Sequence, residues 1–249
     1  MKILCTGDWH FGLSVGGYDF HDDLIRAVQA IVDAADEADM IVVYGDVFHT
    51  STPSPRSYEA VLALLDELTV PGFILVGNHD IGVGTVTRWG FEDKRQRIPT
   101  PHALEPLKRF RFRVPLQVVD APGVYEAPGG MNKEFLLVPY VNDTVAQHRW
   151  QSTAPEIVQW AFEEASRSGE VKAAFCHLDV EGAQVGSESA VMRGSRLSIP
   201  PIAQHVIFPV VNGHIHKRQV VGNILMPGSI VATDFSDVDG VWGYMMLEV

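Results

Sequence analysis

The sequence predicts an α/β fold made of a pair of mixed sheets flanked by helices, and three observations predict it. In the first part of the chain, short apolar runs without helical period alternate with segments whose apolar residues recur at helical spacing. The end of the chain changes to a strand-and-turn texture that a simple doubly wound sheet does not explain. Polar side chains able to bind metal stand just after the apolar runs, outside the carboxyl ends of strands, where an α/β sheet presents its ligands.

The elements follow in order. Ile3-Leu4-Cys5 reads as a first buried strand, and Leu24, Ile25, Val28, Ile31, Val32 and Ala35 mark an amphipathic crossover helix. Met40 to Tyr44 is the second strand. Ser54 suits an N-cap with Pro55 in the first turn, ahead of a second helix carrying Tyr58, Val61, Leu62, Leu65 and Leu68 on one face. Phe73 to Val76 is a third strand. Gly82 to Gly130 is rich in Pro, Gly and Arg, with short strands expected at Phe110 to Val114 and Leu116 to Val119. A third helix is expected from Pro155 to Arg167, ending before Ser168-Gly169, then strands at Val171 to Cys176 and Val206 to Val211. Gln219 to Val221, Ile224 to Met226 and Val241 to Val249 read as strands closing the chain.

The 249 residues are 46% hydrophobic and 20% charged, a composition able to bury a sizeable core. No linker divides them, so one domain, 1–249, is expected. No apolar run approaches the roughly 18 residues of a spanning helix, and Met1-Lys2 leads into a strand without a secretory signal. No membrane association and a cytoplasmic location follow as expectations. Cys5 and Cys176 each lie in an apolar run and are expected as buried free thiols.

A net charge of −12 argues against sequence-independent coating of DNA, which depends on neutralising phosphates with Lys and Arg. The charge is uneven, however. From Arg88 to Arg113 there are eight basic residues against three acidic ones, a local +5 in a chain otherwise strongly negative. Arg88, Arg109, Arg111 and Arg113 are therefore candidate contacts for a nucleic-acid backbone; a solvated surface is the alternative.

The chemistry lies in five separated motifs: Asp8-Trp9-His10, Gly45-Asp46, Gly77-Asn78-His79-Asp80, His177 and Gly213-His214-Ile215-His216. Two carboxylates, one amide and four imidazoles with no thiolate are a donor set for two divalent cations, manganese first, with iron or zinc as alternatives. Two such ions can activate a water and offset phosphate charge, so phosphoester hydrolysis is expected. Asp8 and His10 can face one ion only if the chain turns after the strand, which Gly7 and Gly12 permit. Asp46 has two oxygens and can bridge both ions.

As an ordered set these motifs resemble the calcineurin-like metallophosphoesterases. More closely, Ile3 to Gly12, Tyr44 to Pro53, Val76 to Asp80, Asn212 to His216 and Pro227-Gly228-Ser229 resemble the SbcD-type DNA double-strand-break repair nucleases and their phage counterparts. The resemblance implies a four-layer αββα sandwich, two manganese ions, exonuclease and endonuclease action on DNA in repair, recombination or replication, and a homodimer. It assigns Asp8, His10, Asp46 and His216 to one ion, and Asp46, Asn78, His177 and His214 to the other. It makes His79 the catalytic imidazole that meets the scissile phosphate, and places His49 to assist or to hold a ligand. Asp80 then orients His79 or caps the loop. Full-length nucleases of this type continue into a DNA-contacting cap and a segment that docks on an SbcC-type ATPase. The present sequence stops at Val249, so no C-terminal cap domain is expected and the ATPase partner is left open. A phosphodiesterase or phosphatase on nucleotides or other small phosphoesters, and a noncatalytic scaffold of the same fold, are the alternative functions.

Overall fold

The computed structural model of the chain describes residues 1–82, 84–89, 95–184, 197–233 and 240–249, without the side chains of 87–89 and 95–97. In chain order the elements are β1 (Lys2–Thr6), a small ribbon β2 (Ser14–Val15) and β3 (Tyr18–Asp19), α1 (His21–Ala34), β4 (Met40–Val43), α2 (Pro55–Asp66) and β5 (Gly72–Leu75). A second ribbon, β6 (Thr85–Trp89) and β7 (Arg95–Pro99), precedes β8 (Leu116–Val119), β9 (Gly123–Glu126) and β10 (Glu134–Val138). Then come α3 (Asp143–Trp150), α4 (Ala154–Ser168), β11 (Val171–Cys176), β12 (Val210–Asn212), β13 (Gln219–Val221), β14 (Ile224–Met226) and β15 (Met245–Glu248).

Two mixed sheets form, ordered β15-β1-β4-β5-β8 and β13-β14-β12-β11-β10-β9. Each has parallel strands at its centre, with antiparallel β15 closing the first sheet and β13 and β9 flanking the second. Strand periodicity sorts the apolar side chains into three cores. Ile3, Cys5, Val42, Phe73 and Leu75 face Phe135, Leu137, Phe175 and Val211 between the sheets. Their neighbours Leu4, Ile41, Val43 and Ile74 point the other way, onto Leu24, Val28 and Ile31 of α1 and Val61, Leu64 and Leu65 of α2. Leu136, Val138, Ala174 and Cys176 of the second sheet meet Val145 of α3 and Val158, Ala161 and Phe162 of α4. The result is the four-layer sandwich expected, and it explains why the central strands are apolar throughout: both their faces are buried.

The helix boundaries follow local chemistry. The Ser54 side chain accepts the Ser57 N–H at 3.1 Å to cap α2. Thr153 and Glu156 form a capping box at the start of α4, and Gly169, at φ 70°, ends it. Both cysteines are free and buried.

Three expectations fail. Phe110 to Val114 is not a strand: its alternation fits one, but β8 already occupies that side of β5, and the Arg113 N–H is bonded to the Asp66 carboxylate at 3.2 Å. The expected strand Val206 to Val211 is only Val210–Asn212, because Pro209 supplies no N–H and Ile207 is 92% exposed. The terminal strand is shorter than expected, Met245–Glu248.

Candidate metal centre

Parallel strands in both sheets aim their carboxyl ends at one place, and the loops there are held in a conformation few side chains adopt. Asp8, His10, Asp46 and His214 have φ of 50°, 52°, 50° and 72°. Left-handed backbone at non-glycine residues costs on the order of 1–3 kcal/mol each and persists only where surroundings impose it. Here the loops lace together: Asp8 N–H donates to Gly45 O at 2.9 Å, His10 N–H to Asp46 O at 2.9 Å, and His214 N–H to Asp8 Oδ1 at 3.1 Å. The turn that brings Asp8 and His10 to one side is thus made by those two residues themselves. Gly7 serves otherwise than expected, since a Cβ there would lie 2.2 Å from the Tyr44 ring. Gly77 lets its loop close on Asp46; a Cβ there would fall 2.0 Å from Asp46 Oδ1.

All seven expected donors converge. His10 Nε2 lies 3.1 Å from His216 Nε2, and with Asp8 these residues offer ligand atoms mutually within 4.8 Å. Asp46, His177 and His214 form an adjoining group by the same measure, and Asn78 Oδ1 lies 2.9 Å from both His177 Nε2 and His214 Nδ1. Asp46 stands between them, its Oδ2 being 3.3 Å from His177 Nε2 and 3.8 Å from His10 Nε2.

The electrostatics are those of ions buried without enough counter-charge. Burial raises the Asp8 carboxyl and drives His10 well below the usual imidazole range. Burial opposes ionisation of Asp46 too, yet His177 and His79 hold it well below the carboxylate range. Burial likewise opposes charging His177, but Asp46 and Asp8 raise it to about 9. Asp8 Oδ2 and His10 Nδ1 are buried without a hydrogen-bond partner. The orphaned buried acceptor Asp8 Oδ2, among convergent oxygen and imidazole ligand atoms, fits a pair of divalent cations.

His79 sits beside this centre. Its N–H donates to Asp46 Oδ1 at 2.9 Å, and its Nδ1 donates to His49 O at 2.9 Å, leaving Nε2 for another partner. The His49 ring stacks on it with centroids 5.2 Å apart. The ligand atoms of His10, His49 and His79 also lie mutually within 4.8 Å. Asp80 makes no hydrogen bond to the His79 ring; its carboxylate accepts the backbone N–H groups of Gly77 and Phe48 at 2.9 Å each and so ties the loop together. Burial, then the Asp46 charge, pushes the Asp80 carboxyl up to about 7. Trp9 and Phe11 are packed in the core.

The basic segment is divided. Arg109 lines a cavity of about 360 Å³ with His102, Tyr140, His148 and Arg149. Val76 and Ile81 in its wall bracket the Gly77–Asp80 turn. Arg113 pairs with Asp66 at 3.3 Å, at the end of α2. Gly72 N–H donates to Pro115 O, so this segment lies where β5 begins, at the end of the sheet remote from Asn78. Arg111 is exposed between them, and Arg88 lies on β6 with its side chain outside the described residues.

Sequence reasoning missed the residues that hold the imidazoles from behind. His177 Nδ1 meets Tyr44 O at 2.9 Å, His216 Nδ1 meets Thr233 Oγ1 at 2.7 Å, and His214 Nε2 meets Asp179 Oδ1 at 3.1 Å. Asp179 was within reach, two residues past His177 at a strand end; Thr233 carried no local signal.

Known proteins resemble this chain in sequence and in fold. The family model for calcineurin-like phosphoesterase matches residues 1–218. The chain is 25% identical to the D subunit of the nuclease SbcCD from Staphylococcus epidermidis over 266 residues, covering 100% of this chain and 66% of that protein. It is 23% identical to the protein of the same name from Staphylococcus saprophyticus, covering 100% and 66%. The chain therefore spans about two thirds of the length of these relatives. Among solved structures, the purple acid phosphatase PPD1 from yellow lupin seeds superposes with a TM-score of 0.52 at 17% identity, covering 87% of this chain and 38% of that one, a likeness of fold.

Proposed function

The chain belongs to the calcineurin-like phosphoesterase family, and on that footing we propose that it is a dinuclear-metal-dependent nuclease hydrolysing phosphodiester bonds of DNA. One observation carries the chemistry: seven donors from both sheets converge in two adjoining groups with Asp46 between them. In this proposal Asp8, His10, Asp46 and His216 hold one cation, and Asp46, Asn78, His177 and His214 the other. The donor set suits manganese, with iron or zinc as rivals. Two cations held there would activate a water and offset the charge on the phosphate. His79, fixed through Nδ1 and its own N–H, presents Nε2 to the phosphate and the departing sugar oxygen. His49 buttresses that ring.

DNA as substrate is supported by similarity along the whole chain to the two staphylococcal SbcCD proteins and by the cavity beside the Gly77–Asp80 turn, whose lining includes the exposed Arg109 and His148. Of the four candidate arginines we assign backbone contact to Arg109 first. We take residues 1–249 as one phosphoesterase domain, acting in the cytoplasm as a homodimer; an SbcC-type ATPase partner belongs to the same proposal. Among the described residues no helix is long and apolar enough to cross a membrane.

The test is manganese-dependent hydrolysis of end-labelled single- and double-stranded DNA beside a chromogenic phosphodiester and a phosphomonoester. Cleavage of DNA in preference to the small esters is expected. Turnover confined to the phosphomonoester would make the protein a phosphatase, and a metal-free, inert protein would make it a scaffold.

A further inference from the structure

The imidazoles of the second sheet are not held alike. His177 and His216 place Nδ1 outward, on Tyr44 O at 2.9 Å and Thr233 Oγ1 at 2.7 Å, and turn Nε2 inward. His214 is reversed: Nε2 is outward on Asp179 Oδ1 at 3.1 Å, and Nδ1 is inward, 2.9 Å from Asn78 Oδ1. The outer partner of His214 is thus a carboxylate. That carboxylate is buried, and its backbone is clamped, with Asp179 N–H donating to Leu197 O at 3.0 Å and Ile199 N–H to Asp179 O at 2.8 Å.

We propose that Asp179 is the positioning residue that fixes the tautomer and direction of His214 and thereby the affinity of the second cation. An ionised carboxylate only accepts, so Nε2 of His214 must carry the proton, and the neutral ring has its one lone pair on Nδ1. That lone pair points into the space shared with Asn78 Oδ1 and His177 Nε2. Without Asp179 the other tautomer becomes available; its Nδ1–H donates to Asn78 Oδ1, and two ligand atoms are then occupied with each other instead of with a cation. The left-handed backbone of His214, with its N–H on Asp8, leaves the ring little freedom to find another arrangement.

This inference rests on the centre being dinuclear, so the experiment includes the wild type. Metal-stripped wild type, Asp179→Ala and Asp179→Asn are titrated with Mn²⁺ by calorimetry, and the same samples are followed by electron paramagnetic resonance. The wild type should bind two ions and show the broadened signal of a coupled pair. Asp179→Ala should bind the first ion nearly as before and the second about 10–100-fold more weakly, with the signal of isolated Mn²⁺ persisting at two equivalents. Asp179→Asn keeps an oxygen that can accept Nε2–H, so it should recover the second ion to within about tenfold of wild type, less than the loss from deleting the outer partner. Wild-type affinity for both ions in Asp179→Ala, or equal damage in the two variants, overturns the role assigned to Asp179. Should the alanine variant fail to fold, Asp179→Leu, which also removes the acceptor but fills the space, is read by the same criterion. A wild type that binds fewer than two ions sinks the dinuclear centre itself, and this inference with it.

Discussion

Replacing Asp46 by Asn should remove nearly all turnover while leaving the fold in place. The carboxylate is buried, with Oδ1 accepting the His79 N–H at 2.9 Å and Oδ2 3.3 Å from His177 Nε2 and 3.8 Å from His10 Nε2. An amide fills the same space but must choose an orientation. With its oxygen on the His79 N–H, its NH₂ occupies the place of Oδ2 and has no lone pair for a cation. The reverse orientation sets NH₂ against N–H and leaves that partly buried donor unsatisfied, at a cost of about 1 kcal/mol or more, so the first wins. The variant therefore lacks the atom between the two donor groups and one of the centre's two negative charges. If about 4 kcal/mol of transition-state charge stabilisation depends on that arrangement, turnover falls by roughly 10³-fold. Metal content and single-turnover DNA cleavage should be measured on one preparation, with circular dichroism as the control for folding. An Asp46→Asn variant that retains two ions and cleaves within about tenfold of wild type would refute the bridging role.

His79→Gln leaves the main-chain N–H on Asp46 untouched, so it should keep both ions and lose roughly 10²–10³ in turnover, as when one stabilising donor is removed; loss of metal in proportion to activity would instead make His79 a ligand or a structural residue. Arg109→Glu should weaken DNA cleavage and flatten its salt dependence, whereas Arg113→Glu, remote from the ligand end, should change stability more than cleavage; equal kinetic effects would contradict the placement of the basic segment. Asp120 is a hub, 2.6 Å from both Lys108 Nζ and Arg149 Nη2. Burial would raise it, but His102, Arg149 and Lys108 together hold it well below the usual carboxylate range. A depressed carboxyl contributes stability that is complete above its unfolded value, near 3.9, and is lost as pH falls through its folded value. Asp120→Asn should accordingly cost about 2 kcal/mol at neutral pH, several degrees in Tm for a domain of this size, with the gap to wild type closing in acid; a gap that widens below about pH 4 would reverse the sign and dismiss the hub.

How much of this was legible in the sequence depended on whether a feature was local. The ligands stand directly after apolar runs, and both the runs and the donors are contiguous, so the strands at Ile3, Met40, Phe73 and Val171 and the donors beyond them could be read together. The run Phe135-Leu136-Leu137-Val138, which forms β10, carried the same signal and went unread because it lies beside the Pro- and Gly-rich stretch. Phe110 to Val114 misled in the opposite direction: its alternation is real, but a strand also needs a neighbour with unpaired backbone, and no sequence pattern says that β8 has taken that place.

The least legible part of the centre is also the part that makes it work. Asp-x-His looks like a motif that needs glycine to turn, yet the turn is made by Asp8 and His10 in left-handed conformation, as Asp46 and His214 also are. Each would relax if isolated. They are held because the bonds Asp8 to Gly45, His10 to Asp46 and His214 to Asp8 run between loops from different strands, and in the last case between the two sheets. The last forms only once the sheets have stacked on the core that contains Tyr44, Phe73 and Phe175. The donor geometry is thus a consequence of strand pairing and sandwich packing as well as of the motifs themselves. A substitution that displaces Tyr44, whose ring fills the space beside Gly7 and Gly213 and whose carbonyl anchors His177, acts on the ligands as directly as one made in the motifs.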